Sequence, residues 1–181
     1  MNKYIVFVFS CVSISIPIIR ILSRYLIDIS YYDAINYIPF LLISTSFAAC
    51  SGFFCQMLVA KNRNIKLLYT NIIGTASNIV ILVVFIKLLG LWAVVISATL
   101  TYGVVAFTRF REVKEDFIVS LIDYKKITLC LFMIVVACLT SLFGNILCRL
   151  GVLVLVMTLA LFLNKKLIEE LVAVLYEKIK A

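Results

Sequence analysis

The chain has 181 residues, of which 65% are hydrophobic, and its mean hydropathy is +1.18. A soluble domain of this size is about half apolar, because it must also cover a wet surface. The composition therefore excludes an ordinary soluble domain and indicates a protein solvated by lipid. A formal charge of +8 would point to nucleic acid in a soluble protein. Here the cations cluster at the ends of apolar runs, which indicates membrane orientation instead, so we expect no nucleic-acid partner.

Six apolar runs are candidates for transmembrane helices, because about 20 helical residues cross about 30 Å of hydrocarbon. They cover residues 4–19, 34–59, 67–86, 91–107, 127–143 and 146–163. Residues 109–126 mix charges with one apolar residue per helical turn, which predicts an amphipathic helix on the membrane surface. Residues 165–181 repeat this pattern and predict an amphipathic tail. The predicted fold class is all-α, a polytopic bundle of about six transmembrane helices in residues 1–164.

The connections between these runs alternate in charge, and Lys and Arg mark cytoplasmic loops. Thirteen of the 17 Lys and Arg residues fall on one predicted side, which includes both termini. The other side holds Arg20, Arg24, Lys87 and Arg149. A miscounted span would move every later loop to the opposite side, so the helix count and the charge bias support each other. We predict that both termini, and with them the tail, lie in the cytoplasm.

Polar side chains inside the apolar runs are candidates for lining a cavity, because hydrocarbon disfavours them. Spacings of three, four and seven residues place Asn71, Gly74, Thr75 and Asn78 on one helix face. We predict that this face contacts protein or water. The candidate substrate-cavity residues are Gln56, Asn71, Asn78, Ser44 and Thr75. Their amides and hydroxyls can bond sugar hydroxyls in a wet cavity or neighbouring helices in a dry one.

Two groups of cations are candidates for binding a phosphate or a lipid headgroup. They are Arg20 and Arg24 on the predicted outer side, and Lys61 and Arg63 on the inner side. Interfacial anchoring is the alternative role for both groups.

Small residues in the fourth run, Ala93, Ser97 and Thr101, repeat every four positions. This spacing predicts a stripe along which another helix packs closely.

Catalytic chemistry has little support in the sequence. The chain contains no His, which removes the commonest general base and metal ligand. No Gly-rich phosphate loop, metal-ligand cluster or catalytic triad can be assembled from it. We predict that the protein is not an enzyme and has no catalytic residues, no metal and no cofactor.

Four motifs follow one another through the second to fourth runs. They are Tyr37-Ile38-Pro39-Phe40-Leu41-Leu42-Ile43-Ser44, Ser51-Gly52-Phe53-Phe54-Cys55-Gln56-Met57-Leu58-Val59-Ala60-Lys61, Asn71-Ile72-Ile73-Gly74 with Asn78-Ile79, and Gly90-Leu91-Trp92-Ala93. In order and spacing they resemble the C-terminal lobe of Wzx-type polysaccharide flippases, the O-antigen exporters of the multidrug, oligosaccharidyl-lipid and polysaccharide superfamily. The resemblance covers roughly residues 31–111. Lys87 and Trp92 depart from it, since many members have Pro and a second Gly at that turn.

The resemblance implies one lobe of a two-lobed helical bundle around a central cavity, in the inner membrane of a bacterium. The implied activity moves an undecaprenyl-diphosphate-linked oligosaccharide, an O-antigen or capsule repeat unit, from the cytoplasmic to the periplasmic leaflet. Alternating access requires one lobe to rock against the other, so a missing N-terminal lobe is an implied partner. The lipid bilayer is another partner, and a polysaccharide polymerase or glycosyltransferases are further candidates.

Two other interpretations stay open at this point. The chain is alternatively half of a multidrug or cation antiporter of the same superfamily, or a membrane scaffold in polysaccharide assembly that transports nothing. An antiporter should depend on acidic residues inside its helices, which these runs do not contain. A scaffold would use the two amphipathic segments as docking surfaces.

The predicted topology can be tested with an impermeant amine reagent added to intact spheroplasts. Lys114 and Lys180 should be protected because they lie on the cytoplasmic side, whereas Lys87 should react. Peptide mapping by mass spectrometry identifies the labelled lysines. Labelling of Lys114 or Lys180 from outside would contradict the six-span arrangement.

Overall fold

The computed structural model describes residues 2–26, 28, 34–114 and 124–180. Within these residues the chain forms six α-helices. They are α1 (Asn2–Leu26), α2 (Ile38–Ala60), α3 (Asn64–Leu89), α4 (Leu91–Lys114), α5 (Tyr124–Phe143) and α6 (Ile146–Lys180). Each contains a segment long and apolar enough to cross a membrane. The predicted all-α class of membrane-spanning helices is confirmed.

Two helices continue beyond the apolar runs that predicted them. α4 extends to Lys114, so the first part of the predicted surface helix 109–126 belongs to α4, whereas residues 115–123 lie outside the described residues. α6 has 35 residues and runs unbroken into the predicted tail. Neither junction contains the Gly or Pro that commonly ends a helix. A helix of this length rises about 52 Å, so α6 is much longer than about 30 Å of hydrocarbon.

The connections in the middle of the chain are short. Asn62, with φ of 56°, lies between α2 and α3, and its amide donates to the carbonyl of Val59. A single residue, Gly90, separates α3 from α4 and has φ of 53°. This positive φ suits glycine, because a side chain there would be strained.

The helices divide into two compact units. Unit 1 comprises Met1–Leu22 and Ile122–Ala181, and therefore contains most of α1 together with α5 and α6. Its apolar core includes Met133, Val156 and Ala160, with Ile14 of α1 packed against them. The buried side chain of Asn164 donates to Ser10 Oγ at 3.0 Å and to the carbonyl of Ala160 at 2.9 Å. This amide is thereby satisfied inside the unit.

Unit 2 spans Ser23–Leu121 and is organised around α4, which packs against both α2 and α3. The predicted stripe of Ala93, Ser97 and Thr101 is buried in this unit, which confirms its packing role. Small residues of this kind allow a neighbouring helix to approach closely. At the N-terminal end of α4, Trp92 packs edge-on against Tyr37, with ring centroids 4.7 Å apart.

The far end of α4 also faces protein. Phe110 packs against Phe54 of α2, with ring centroids 5.6 Å apart, and Val113 is buried. The sequence assigned these two residues to the apolar side of a surface helix, but they are part of the core of unit 2. An amphipathic pattern has the same period whether its apolar side meets lipid or protein.

The close packing of α3 on α4 can be tested by substituting Gly74. A methyl group placed there would overlap the side chain of Val105. We expect Gly74→Ala to lower the free energy of unfolding by about 1–3 kcal/mol, as overpacked substitutions do. The measurement is thermal unfolding of the detergent-purified protein.

The matched control for this experiment is Gly103→Ala in α4, where an added methyl meets nothing within 4 Å. Both substitutions raise helix propensity equally, so the difference between them reports the contact. Equal melting temperatures for the two variants would contradict the close approach at Gly74.

Candidate functional site

Unit 2 contains a polar cavity of about 470 Å³ between α2, α3 and α4. Its polar lining residues are Ser51, Asn71, Thr75, Asn78, Thr101, Tyr102 and Arg109. Gly74 lines it as well, so the four residues predicted to share a face of α3 lie together on the cavity. The prediction of a common face is confirmed.

Arg109 is the charged group of this cavity. It is only 8% exposed, although a guanidinium stays protonated in proteins. Its Nε donates to Thr70 Oγ1 at 3.2 Å, and its Nη2 donates to Asn71 Oδ1 at 2.6 Å. Its Nη1 donates to both the carbonyl oxygen and the Oγ of Ser51, at 3.1 and 2.7 Å. The side chain of Arg109, on α4, therefore joins α2 to α3.

The partners of Arg109 are all neutral among the residues that the structure describes. Hydrogen bonds to neutral oxygens orient a buried cation but do not cancel its charge, and such burial in an apolar medium is costly. Four of its five N–H groups are engaged. A net positive charge and one N–H group of Nη2 remain at the cavity, which favours an anionic ligand.

The other polar groups of the cavity are largely uncommitted. The Oγ1 of Thr101 is buried and has no hydrogen-bond partner among the described residues. Asn71 uses its Oδ1 for Arg109, so its amide nitrogen stays available as a donor. Thr75 and Asn78 line the cavity from the next two turns of α3. The cavity thus combines one cation with amides and hydroxyls, a set that suits a phosphorylated sugar or a similar polar anion.

Two of the five predicted cavity residues lie elsewhere. Gln56 is exposed on α2 and does not line the cavity, because it lies five positions after Ser51 and is therefore about 140° away around the helix. Ser44 is buried two turns before Ser51 and also lies outside the cavity. Asn71, Thr75 and Asn78 are brought together as predicted.

The cations predicted to hold a phosphate do not line this cavity. Arg20 lies in α1 and is half-buried, and the side chain of Arg24 is outside the described part of the structure. Lys61 is exposed at the end of α2, and Arg63 precedes α3. All four lie at or near helix ends, where anchoring was the alternative interpretation.

Arg109 was not among the predicted site residues, because residues 109–126 were predicted to form a surface helix. The signal that identifies it is the four-residue spacing of Ala93, Ser97 and Thr101, which continues to Val105 and then Arg109. All of these residues are buried. The predicted end of the fourth run at residue 107 cut this series short.

The protein was compared with known families, curated proteins and solved structures. No family model, no curated protein and no solved structure matches the chain. The resemblance to polysaccharide flippases therefore stays a prediction.

Replacing Arg109 tests the bridge that it forms. Arg109→Lys keeps the charge but loses the fork that reaches Ser51, Thr70 and Asn71 together. We expect the free energy of unfolding to fall by about 1–3 kcal/mol, because buried oxygens lose their donors.

Thermal unfolding in detergent measures this loss, and Arg111→Lys is the matched control. Arg111 is exposed two residues further along α4, so its substitution should change the stability by no more than about 0.5 kcal/mol. If both variants unfold at the same temperature, the network does not hold unit 2 together.

Proposed function

We propose that this chain is the C-terminal lobe of a flippase that moves undecaprenyl-diphosphate-linked oligosaccharides across the inner membrane of a bacterium. The observation that carries the proposal is Arg109, a buried cation with neutral partners at the wall of a polar cavity. A diphosphate would supply the negatively charged partner that is absent from the hydrogen bonds of this cation. The ordered motifs in α2 to α4 are the second line of support.

The remaining cavity groups suit the sugar part of such a substrate. Asn71, Thr75 and Asn78 present amides and a hydroxyl along α3, and Thr101 and Tyr102 present hydroxyls from α4. Sugars need paired donors and acceptors when they leave water, because an unpaired buried hydroxyl costs about 1–3 kcal/mol. The lipid tail needs no polar site, since it stays in the bilayer.

An antiporter for cationic drugs is the runner-up, and the charge of the cavity argues against it. The described lining contains one cation and no carboxylate. Glu112, the one acid in residues 34–114, forms an ion pair with Lys66 away from this cavity. A cavity of this charge would repel a cation, unless the proposed N-terminal lobe supplied the acids.

Complementation of a flippase-null strain tests the proposal, with the chain expressed alone and together with an N-terminal lobe. Arg109→Met removes the charge and keeps a side chain of similar length, and its insertion and melting temperature are measured together with transport, because Ser51 and Asn71 lose a donor. We expect it to lower surface polysaccharide at least about tenfold, as the loss of one charged hydrogen bond does. Thr75→Val and Asn78→Leu should lower the amount of surface polysaccharide without changing the free energy of unfolding.

Gln56→Leu is the matched control, because Gln56 lies on α2 outside the cavity and should leave transport unchanged. Lipid-linked intermediate should accumulate on the cytoplasmic side in the defective variants. An inserted, well-expressed pair of lobes that restores no polysaccharide would overturn the proposal. Loss of drug resistance on deletion, with surface sugars intact, would favour the antiporter instead.

A further inference from the structure

A second cavity of unit 2 lies between the beginning of α3 and the end of α4. This groove has a volume of about 700 Å³. The residues that characterise it are Ile65, Lys66, Tyr69, Ile73, Arg111 and Glu112. It is separate from the polar cavity described above, with which it shares no lining residue.

The polar end of the groove has an excess of positive charge. Lys66 Nζ and Glu112 Oε2 form an ion pair across the groove, so the charge of Glu112 is already balanced. Arg111 is exposed beside them and adds one positive charge.

The rest of the groove is apolar and follows α3. Ile65, Tyr69 and Ile73 are exposed by 72%, 63% and 44%, and their spacing of four places them on one side of the helix. The strip runs from Ile65 to Ile73, which is eight residue steps or about 12 Å along the helix axis. Tyr69 also carries a phenolic donor within this strip.

We propose that this groove binds an anionic phospholipid, with its phosphate beside Arg111 and an acyl chain along Ile65, Tyr69 and Ile73. A free phosphate would use the charged end alone, and a zwitterionic lipid would gain less from Arg111, because its ammonium group offsets the charge of its phosphate. An anionic amphiphile uses both parts, and basic grooves at the ends of transmembrane helices suit such headgroups. The inference is independent of the proposed transport function, because it concerns a different cavity.

Native mass spectrometry of the detergent-purified full chain tests this inference, with phosphatidylglycerol and phosphatidylcholine as probes. The wild-type protein should retain phosphatidylglycerol about fivefold better than phosphatidylcholine, because one cationic contact contributes an effect of this size. Arg111→Gln should remove this preference without breaking the ion pair of Lys66 with Glu112. Glu112→Gln should increase the preference, and this gain cannot come from misfolding.

The control variant is Lys87→Gln at the opposite end of α3, which should retain phosphatidylglycerol like the wild type. Equal retention of the two lipids by the wild type, or an unchanged preference in Arg111→Gln or Glu112→Gln, would overturn the proposal. So would retention of glycerol phosphate as strong as that of the lipid, since the apolar strip would then contribute nothing. Loss of the preference in Asn78→Leu would place the lipid in the polar cavity and overturn it too.

Discussion

A permanent positive charge inside an apolar helical unit is the constraint on which the structure of unit 2 depends. The guanidinium of Arg109 carries five N–H groups, which need hydrogen-bond partners inside the protein because the side chain is buried. α2 supplies Ser51, and α3 supplies Thr70 and Asn71. α2 and α3 touch each other far less than either touches α4, and this side chain forms hydrogen bonds to both of them.

Hydroxyl groups behave differently from this cation, because most of them are satisfied within their own helix. Ser97 donates to the carbonyl of Val94, Thr108 to that of Val105 and Thr140 to that of Val136. Such local bonds remove the need for a partner on another helix. A hydroxyl in a membrane helix is therefore a weak indicator of a site, whereas an amide or a guanidinium has to find partners beyond its own turn.

This difference explains only some of the predictions, since Thr75 lines the cavity although it carries a hydroxyl. Asn71 and Asn78 carry amides at a spacing of seven, and they share the predicted face. Ser44 was chosen for its hydroxyl, and it lies outside the cavity. Gln56 carries an amide, but it is near the exposed end of α2, where water can satisfy it.

The helices themselves were predictable because apolar length alone reveals a span, whereas the ends of α4 and α6 were not. Charges beyond residue 107 indicated a surface segment, but a charged residue can also enter the unit if neighbouring helices offer oxygens. Arg109 and Arg111 illustrate this, since one is buried and the other exposed. They differ by about 200° around α4. The buried series of Ala93, Ser97, Thr101 and Val105 leads to Arg109 and not to Arg111, but this periodicity is informative only if α4 is known to continue beyond residue 107.

The position of α3 links the cavity to the proposal of a second lobe. In its most apolar window only 6% of the residues are buried, against 33% in α2 and α4. Its contacts with α4 include the close approach at Gly74, the bonds to Arg109 and the ion pair of Lys66 with Glu112. Exposed Asn71 and Thr75 on such a helix are disfavoured next to lipid tails. The polar side of α3 therefore requires either water or further protein beside it, and a second lobe enclosing a wet cavity would supply both.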